Sequence, residues 1–197
     1  MSKILKVKAR QVFDSRGNPT VEAEVYTKNI SATAICPSGA STGTYEAFEK
    51  RDKNNKRYLG KSVFSAVSLV NTKISNKLKG QSVHNQERID TLLINLDGTR
   101  QKTNLGANAM LAVSMAVKKL SAKVKKLPLY KTFTVKKNFQ LPYPLMNIIN
   151  GGAHADNDLN IQEFMIRPDS AQNFMDAIEK CFLVIQNLKK LLQSKKL

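Results

Sequence analysis

Two polar stretches hold the residues able to do chemistry. One is Asn150-Gly151-Gly152-Ala153-His154-Ala155-Asp156-Asn157-Asp158, which follows an apolar run and sets a histidine among glycines and carboxylates. Backbone freedom at the paired glycines lets the chain present His154 to a pocket, where its imidazole could bind a phosphate or shuttle a proton. Read alone, a loop histidine is more often solvent-exposed than catalytic. A calcium loop beginning at Asp156 would need glycine at its sixth position and a bidentate glutamate at its twelfth, where Ile161 and Arg167 stand, so calcium is excluded. Just downstream, Gln162 and Glu163 interrupt the apolar run Leu159 to Ile166. As strand neighbours they should point to opposite faces, and a carboxylate there must meet water or a partner. The functional alternative sets one of them at a strand's carboxyl end, where α/β barrels place their chemistry.

The other stretch is Pro37-Ser38-Gly39-Ala40-Ser41-Thr42-Gly43-Thr44, small residues that can swing and bring hydroxyls or bare backbone to a ligand. A P-loop needs four residues between its glycines and then lysine with serine or threonine; here three intervene and Thr44 follows Gly43. By composition alone this is first an ordinary connection.

The elements that must carry these stretches follow from periodicity. Leu5, Val7, Ala9 and Phe13 alternate with Lys6, Lys8 and Arg10, the period of a half-buried strand. A turn at Arg16 to Pro19 leads to a second strand, Val21 to Tyr26, and a third runs Ser31 to Cys36; connections this short imply an antiparallel meander. Val63, Val67, Val70, Ile74 and Leu78 then line one helical face that Gly80 closes. Glu87 to Leu96 and Ala107 to Val124 are predicted as further helices, so the fold class of this part is α+β. The basic stretch Lys125 to Gln140, broken by Pro128, is the expected seam. Beyond it, two strands (Pro142 to Ile149 and Leu159 to Ile166) precede a helix whose apolar face is Phe174, Ile178, Phe182, Ile185 and Leu188.

Composition narrows the function classes. Thirty-two Lys and Arg against 15 Asp and Glu give a formal charge of +17, which would attract polyanions. The lysines lie without interleaved aromatics that could stack bases, so a solvated basic surface is favoured over a dedicated nucleic-acid site. A non-catalytic basic protein for nucleic acid or other polyanions is the alternative reading. Cys36 and Cys181 form no CxxC pair, which suggests neither a disulfide framework nor zinc and fits a reducing cytoplasm. Met1 to Val12 lacks a signal-peptide core, and no apolar run is long enough to span a bilayer.

Taken together, the stretches closely resemble the enolase family, the glycolytic phosphopyruvate hydratases. The matching runs include Ala9-Arg10, Asp14 to Glu22, Pro37 to Gly43 with Glu46-Ala47 and Arg51-Asp52, Leu96 to Thr99, and Leu105 to Ala109 with Ala112 to Ser114. Pro144 to Gly152, His154 to Asn157 and Ile161 to Ile166 complete the set. The resemblance implies an amino-terminal α+β domain over residues 1–137, with a three-stranded meander plus helices. The opening strands and first helix of an enolase-type α/β (TIM-like) barrel follow over 138–197. It implies magnesium-dependent removal of water from 2-phosphoglycerate to give phosphoenolpyruvate, with two Mg2+ stabilising the enolate.

By the same resemblance, Ser41 would ligate the second magnesium when its loop closes, His154 would lie near the substrate phosphate, and Gln162 and Glu163 would line the substrate pocket. Arg10 and Glu22 look like contacts across a homodimer interface. The family's lysine base, glutamate proton donor and three carboxylates for the first magnesium belong to later barrel strands. They have no counterpart here, so the main catalytic acid and base are expected beyond Leu197. Sixty residues follow residue 137, whereas a full barrel takes about 250. The expectation is that these 197 residues alone form an incomplete, inactive piece.

Overall fold

The computed structural model describes residues 2–39, 43–54 and 56–196, which divide into two units, 1–135 and 136–197. In the first unit β1 (Lys6–Phe13), β2 (Pro19–Tyr26) and β3 (Ser31–Cys36) form an antiparallel sheet in that order. The register runs from Lys6 opposite Tyr26 to Phe13 opposite Pro19, and Val21 sits opposite Cys36. Asp14 N–H donates to the Asn18 carbonyl and Gly17 adopts φ 74°, so the first turn occupies 14–18 and Pro19 belongs to β2 rather than to the turn. Proline is tolerated there because it opens the strand.

The predicted single helix over 63–78 comprises α1 (Phe64–Leu69), a π-helical segment (Val70–Ile74) and α2 (Ser75–Leu78). Asp52 starts it, accepting the Ser62 hydroxyl and the Phe64 and Ser65 backbone N–H groups, which satisfies donors that a helix start leaves open. The helix α3 (Gln86–Asp97) is capped by Asn85 and ends at Gly98 in the left-handed region. The last helix of the unit, α4 (Ala107–Val124), packs its alanine-rich face on β2 and β3. Ala109, Ala112, Val113, Ala116, Val117 and Leu120 join Val21, Ala23, Val25, Ile74, Ile89 and Leu93 in one core. Small side chains on α4 let helix and sheet approach closely, and the core is filled by the branched residues opposite.

In the second unit β4 (Met146–Asn150) pairs antiparallel with β5 (Glu163–Ile166), and α5 (Phe174–Ser194) follows. The expected strand bounds are corrected. The strands are shorter than 142–149 and 159–166: Pro142 and Pro144 lack the N–H a ladder needs, and the Gly151 and Gly152 N–H groups bond to the Gln162 and Leu159 carbonyls, holding 159–162 in the loop. The large apolar residues of α5 do not form its buried side. Its buried residues are Ala177 and Cys181, while Phe174, Ile178 and Phe182 are exposed. Two antiparallel strands preceding the first helix differ from the strand-then-helix alternation of a standard barrel. The residue 151–162 connection carries only a 3-10 turn, Gly152–His154, so the chain reverses instead of crossing over. No closed barrel exists among the described residues. No helix of the described residues is long and apolar enough to cross a membrane.

Candidate functional site

The glycine-led loop positions the chemistry of the second unit. A Cβ on Gly151 would lie 2.5 Å from the Ile161 carbonyl oxygen and 2.8 Å from that of Leu159, so only glycine fits where β4 meets the returning chain. Gly152 adopts φ 53° and starts the 3-10 turn that ends at His154. Around it, Asn157 Nδ2 donates to the Asn150 carbonyl (3.0 Å) and Leu159 N–H donates to Asn157 Oδ1 (3.1 Å).

These constraints bring His154, Gln162 and Glu163 together. His154 Nδ1 lies 3.1 Å from Glu163 Oε1, and the Gln162 side-chain amide contacts His154 Nε2. The alternation expected for neighbours in a strand does not apply, because β5 begins at Glu163 and Gln162 still belongs to the bend; both side chains converge on one ring. Glu163 stands at the start of its strand, not at the carboxyl end. With the amide donating to Nε2, the ring proton sits on Nδ1 and is donated to the Glu163 carboxylate. The His154 side chain is 22% exposed and Glu163 31%: shielded enough to hold geometry and open enough to meet a ligand.

In the first unit Ser41 falls within residues 40–42, outside the described residues. Leu197, past which the catalytic acid and base are expected, lies outside them as well, and His154 with Glu163 is one of the titratable pairs in the described part of the second unit, beside Arg167 with Asp169 and Lys180 with Asp176. The chain on either side of residues 40–42 is fastened by charged side chains. Arg16 Nη2 donates to the Ser38 carbonyl (2.5 Å), while Arg51 Nη2 donates to the Ser38 hydroxyl (2.6 Å) and to Glu49 Oε1 (2.8 Å). Gly43 N–H donates to Glu46 Oε1 (2.9 Å). The dense alternation of charge in Glu49-Lys50-Arg51-Asp52 is the sequence signal for this fastening, which ties Arg51 and Glu49 to the Ser38 hydroxyl. Nearby Cys36 is buried, and burial, with the Glu49 charge beside it, pushes its thiol up to about 11, leaving it protonated and unreactive.

Arg10 and Glu22, expected at a subunit interface, face each other across β1 and β2 and form an ion pair within the chain, with Glu24 Oε2 3.5 Å from Arg10 Nη2. Both Arg10 and Glu22 keep some exposure, so the pair remains presentable to another surface.

The donor set does not fit a divalent cage. Among the described residues no three His, Cys, Asp or Glu side chains converge as metal ligands, whereas a hard cation such as Mg2+ is held through one or more carboxylates in near-octahedral geometry. What the His154 cluster can do is contact an anion: a second ring proton at Nε2 would give an imidazolium paired with Glu163 and a donor aimed at an anionic oxygen.

The family model for the enolase N-terminal domain matches residues 4–133, and that for the enolase C-terminal TIM barrel domain matches residues 138–197. The chain is similar to an enolase of Pelagibacter ubique, 77% identical over 195 residues, which cover 99% of this chain and 47% of the relative. Enolases of Methanococcus maripaludis and Methanosarcina mazei are 53% and 52% identical over 193 residues, each covering 98% of this chain and 45% of the relative. The chain thus spans about half the length of the curated relatives it matches. A meander-and-helix domain matched over its whole length, followed by the first strands and helix of a barrel, means that the chain belongs to the enolase family of lyases.

Proposed function

We propose that these residues serve the dehydration of 2-phosphoglycerate to phosphoenolpyruvate, contributing substrate contacts to an active site whose base, acid and first-metal ligands are supplied elsewhere. The observation that carries this reading is the convergence of Gln162 and Glu163 on the His154 ring, in a chain of the enolase family. The Glu163 carboxylate orients the ring; with a second proton on Nε2 the imidazolium can donate to a phosphate oxygen, with Gln162 turned aside to a further polar group of the substrate. In the family's reaction Mg2+ supplies the electrostatic stabilisation of the enolate, and Ser41 is our candidate ligand for the second ion. Since the described residues build no cage for the first, the role assigned to them is binding and orientation.

The same reading sets the domain boundary at residues 137 and 138, places the protein in the cytoplasm with the other glycolytic enzymes, and uses Arg10 and Glu22 in a homodimer, where their cross-strand pair would exchange or share partners with a second subunit. Two free buried cysteines are consistent with that reducing compartment. A polypeptide of residues 1–197 is inactive by this account. Incubated with 2-phosphoglycerate and magnesium, it should form no phosphoenolpyruvate by ultraviolet absorbance; turnover above the uncatalysed background would contradict the assignment. In a protein containing these residues and the complete barrel, Glu163→Gln should lower kcat/KM by on the order of 100-fold, the range for losing one positioned polar group, and an unchanged value would remove Glu163 from the site.

A further inference from the structure

Among the stretches of the sequence without an acidic residue are 1–13, 25–45 and 98–155, the last holding ten Lys and Arg. Antiparallel pairing brings part of each to one end of the first unit. Lys6 opposite Tyr26 and Tyr26 opposite Ser31 put the start of β1, the β2–β3 turn and the start of β3 side by side, and the last turn of α4 lies against them, with Lys123 Nζ donating to the Ser31 carbonyl (3.0 Å). Between them is a groove of about 590 Å³ whose rim carries Lys3, Lys28, Lys123 and Lys126 and whose floor includes Leu5 and Ile30. No Asp or Glu is among its lining residues.

The negative end of a helix attracts cations, which accounts for lysines near residue 124 without any ligand. It does not account for Lys3 and Lys28, which belong to other elements and converge on the same space. Lys126 is notable in its backbone as well. Its N–H bonds to the Lys123 carbonyl and the Leu127 N–H to that of Ala122, the helix-closing motif in which the left-handed residue is usually glycine. Lysine takes it here, at φ 53°, against the steric preference of a side chain with a Cβ. Nearby, His84 is held below its ordinary value by burial and then by the charge of Lys125, a sign that this end carries a positive field.

We propose that this groove is a docking site for a linear chain of phosphates, recognised by charge alone. Ammonium groups are point charges that suit phosphate oxygens without selecting what the phosphates are attached to, and the lining contains no aromatic ring on which a base could stack. The groove belongs to the first unit and does not depend on the catalytic reading.

The test measures binding of fluorescently labelled inorganic polyphosphate to the chain, with a homopolymeric oligoribonucleotide of equal charge as a second arm. With about three phosphates neutralised, affinity should fall roughly 20-fold between about 50 and 200 mM salt. Replacing Lys3, Lys28 and Lys126 together by Gln should weaken binding on the order of tenfold. The same replacement at Lys53, Lys56 and Lys73, exposed lysines elsewhere on this unit, should change it less than about threefold. The Lys→Arg triple in the groove should keep affinity. Equal losses from the two Gln triples would show diffuse attraction by net charge and overturn the proposal. Much tighter binding of the ribonucleotide than of polyphosphate would show that bases are read and would overturn it too. Should the groove triple fail to fold, amide chemical-shift changes in the unaltered chain decide: confined to residues 2–5, 27–30 and 123–126 they support the site, and spread over all lysine-bearing surfaces they refute it.

Discussion

Helices α4 and α5 are of comparable length, 18 and 21 residues, and both are amphipathic, yet ten residues of α4 are buried against two of α5. The difference lies in what each helix has to pack on. A three-stranded sheet presents Val21, Ala23, Val25, Ala32 and Ala34 to α4, and α1 to α3 close the remaining sides. In the second unit a two-stranded ladder of five and four residues offers little inward surface, and Phe164, Met165, Phe174, Ile178 and Phe182 are left exposed. A helical face is buried only when a complementary surface exists, since isolated helices and two-stranded sheets are marginal in water. The first unit therefore carries its own stability, whereas the second holds its candidate site in place through local hydrogen bonds and glycine geometry.

The sharpest way to break this comparison is by truncation of apolar side chains. Leu93→Ala, at a fully packed position under α4, should cost about 2 to 5 kcal/mol in urea denaturation. Phe182→Ala, on the exposed side of α5, should change stability by less than about 0.5 kcal/mol. Similar losses at both positions would mean that α5 is packed as tightly as α4.

The next largest effect concerns Asp97, which is buried and accepts from the Thr99 and Leu105 N–H groups and the Thr99 hydroxyl. Burial by itself would raise its pKa, but these hydrogen bonds outweigh it and hold the carboxyl below its ordinary value. A depressed folded-state pKa contributes stability above the unfolded value near 3.8 that is lost as pH falls through the folded value. Asp97→Ala should cost about 1 to 3 kcal/mol at neutral pH, because the buried Leu105 N–H loses its acceptor, and should flatten the acid limb of the stability profile. An unchanged acid limb would remove Asp97 from the account.

Gly151→Ala sharpens the other half of the comparison. With a carbonyl oxygen 2.5 Å from the new Cβ, the β4–β5 loop must shift, and the His154 ring resonances should move while urea stability of the first unit stays within about 0.5 kcal/mol. Smallest of all is the response of Cys36. Its thiol, pushed up to about 11 by burial, should not react with a thiol reagent at pH 8 until the first unit unfolds; prompt labelling would show that the β3 end opens on its own.

Legibility in the sequence followed the same divide. The strand at Ser31–Cys36 and the helix at Ala107–Val124 were both predictable to the residue, because each alternates or steps its apolar positions against a real core and the observed burial keeps that period. The π-helical segment at Val70–Ile74 left no mark, since one extra residue within a turn barely disturbs a row of branched apolar side chains. In the second unit apolar residues misled: Leu159 and Ile161 look like strand yet are exposed in the loop. Candidate site residues His154, Gln162 and Glu163 were legible as motifs. Their convergence on one ring was not, because it depends on where the strand begins. The fastening of Ser38 by Arg16 and Arg51 was equally hidden, since it joins residues 22 and 13 positions apart.

Native-state hydrogen exchange tests the central contrast most directly. Amides in the middle of α4, around Val113 to Val117, should exchange only through global unfolding of the first unit. Those in the middle of α5, around Cys181 to Ile185, should exchange at least about 100-fold faster under the same conditions. Equal protection in the two helices would contradict the account, because α5 would then rest on a core that the second unit does not show.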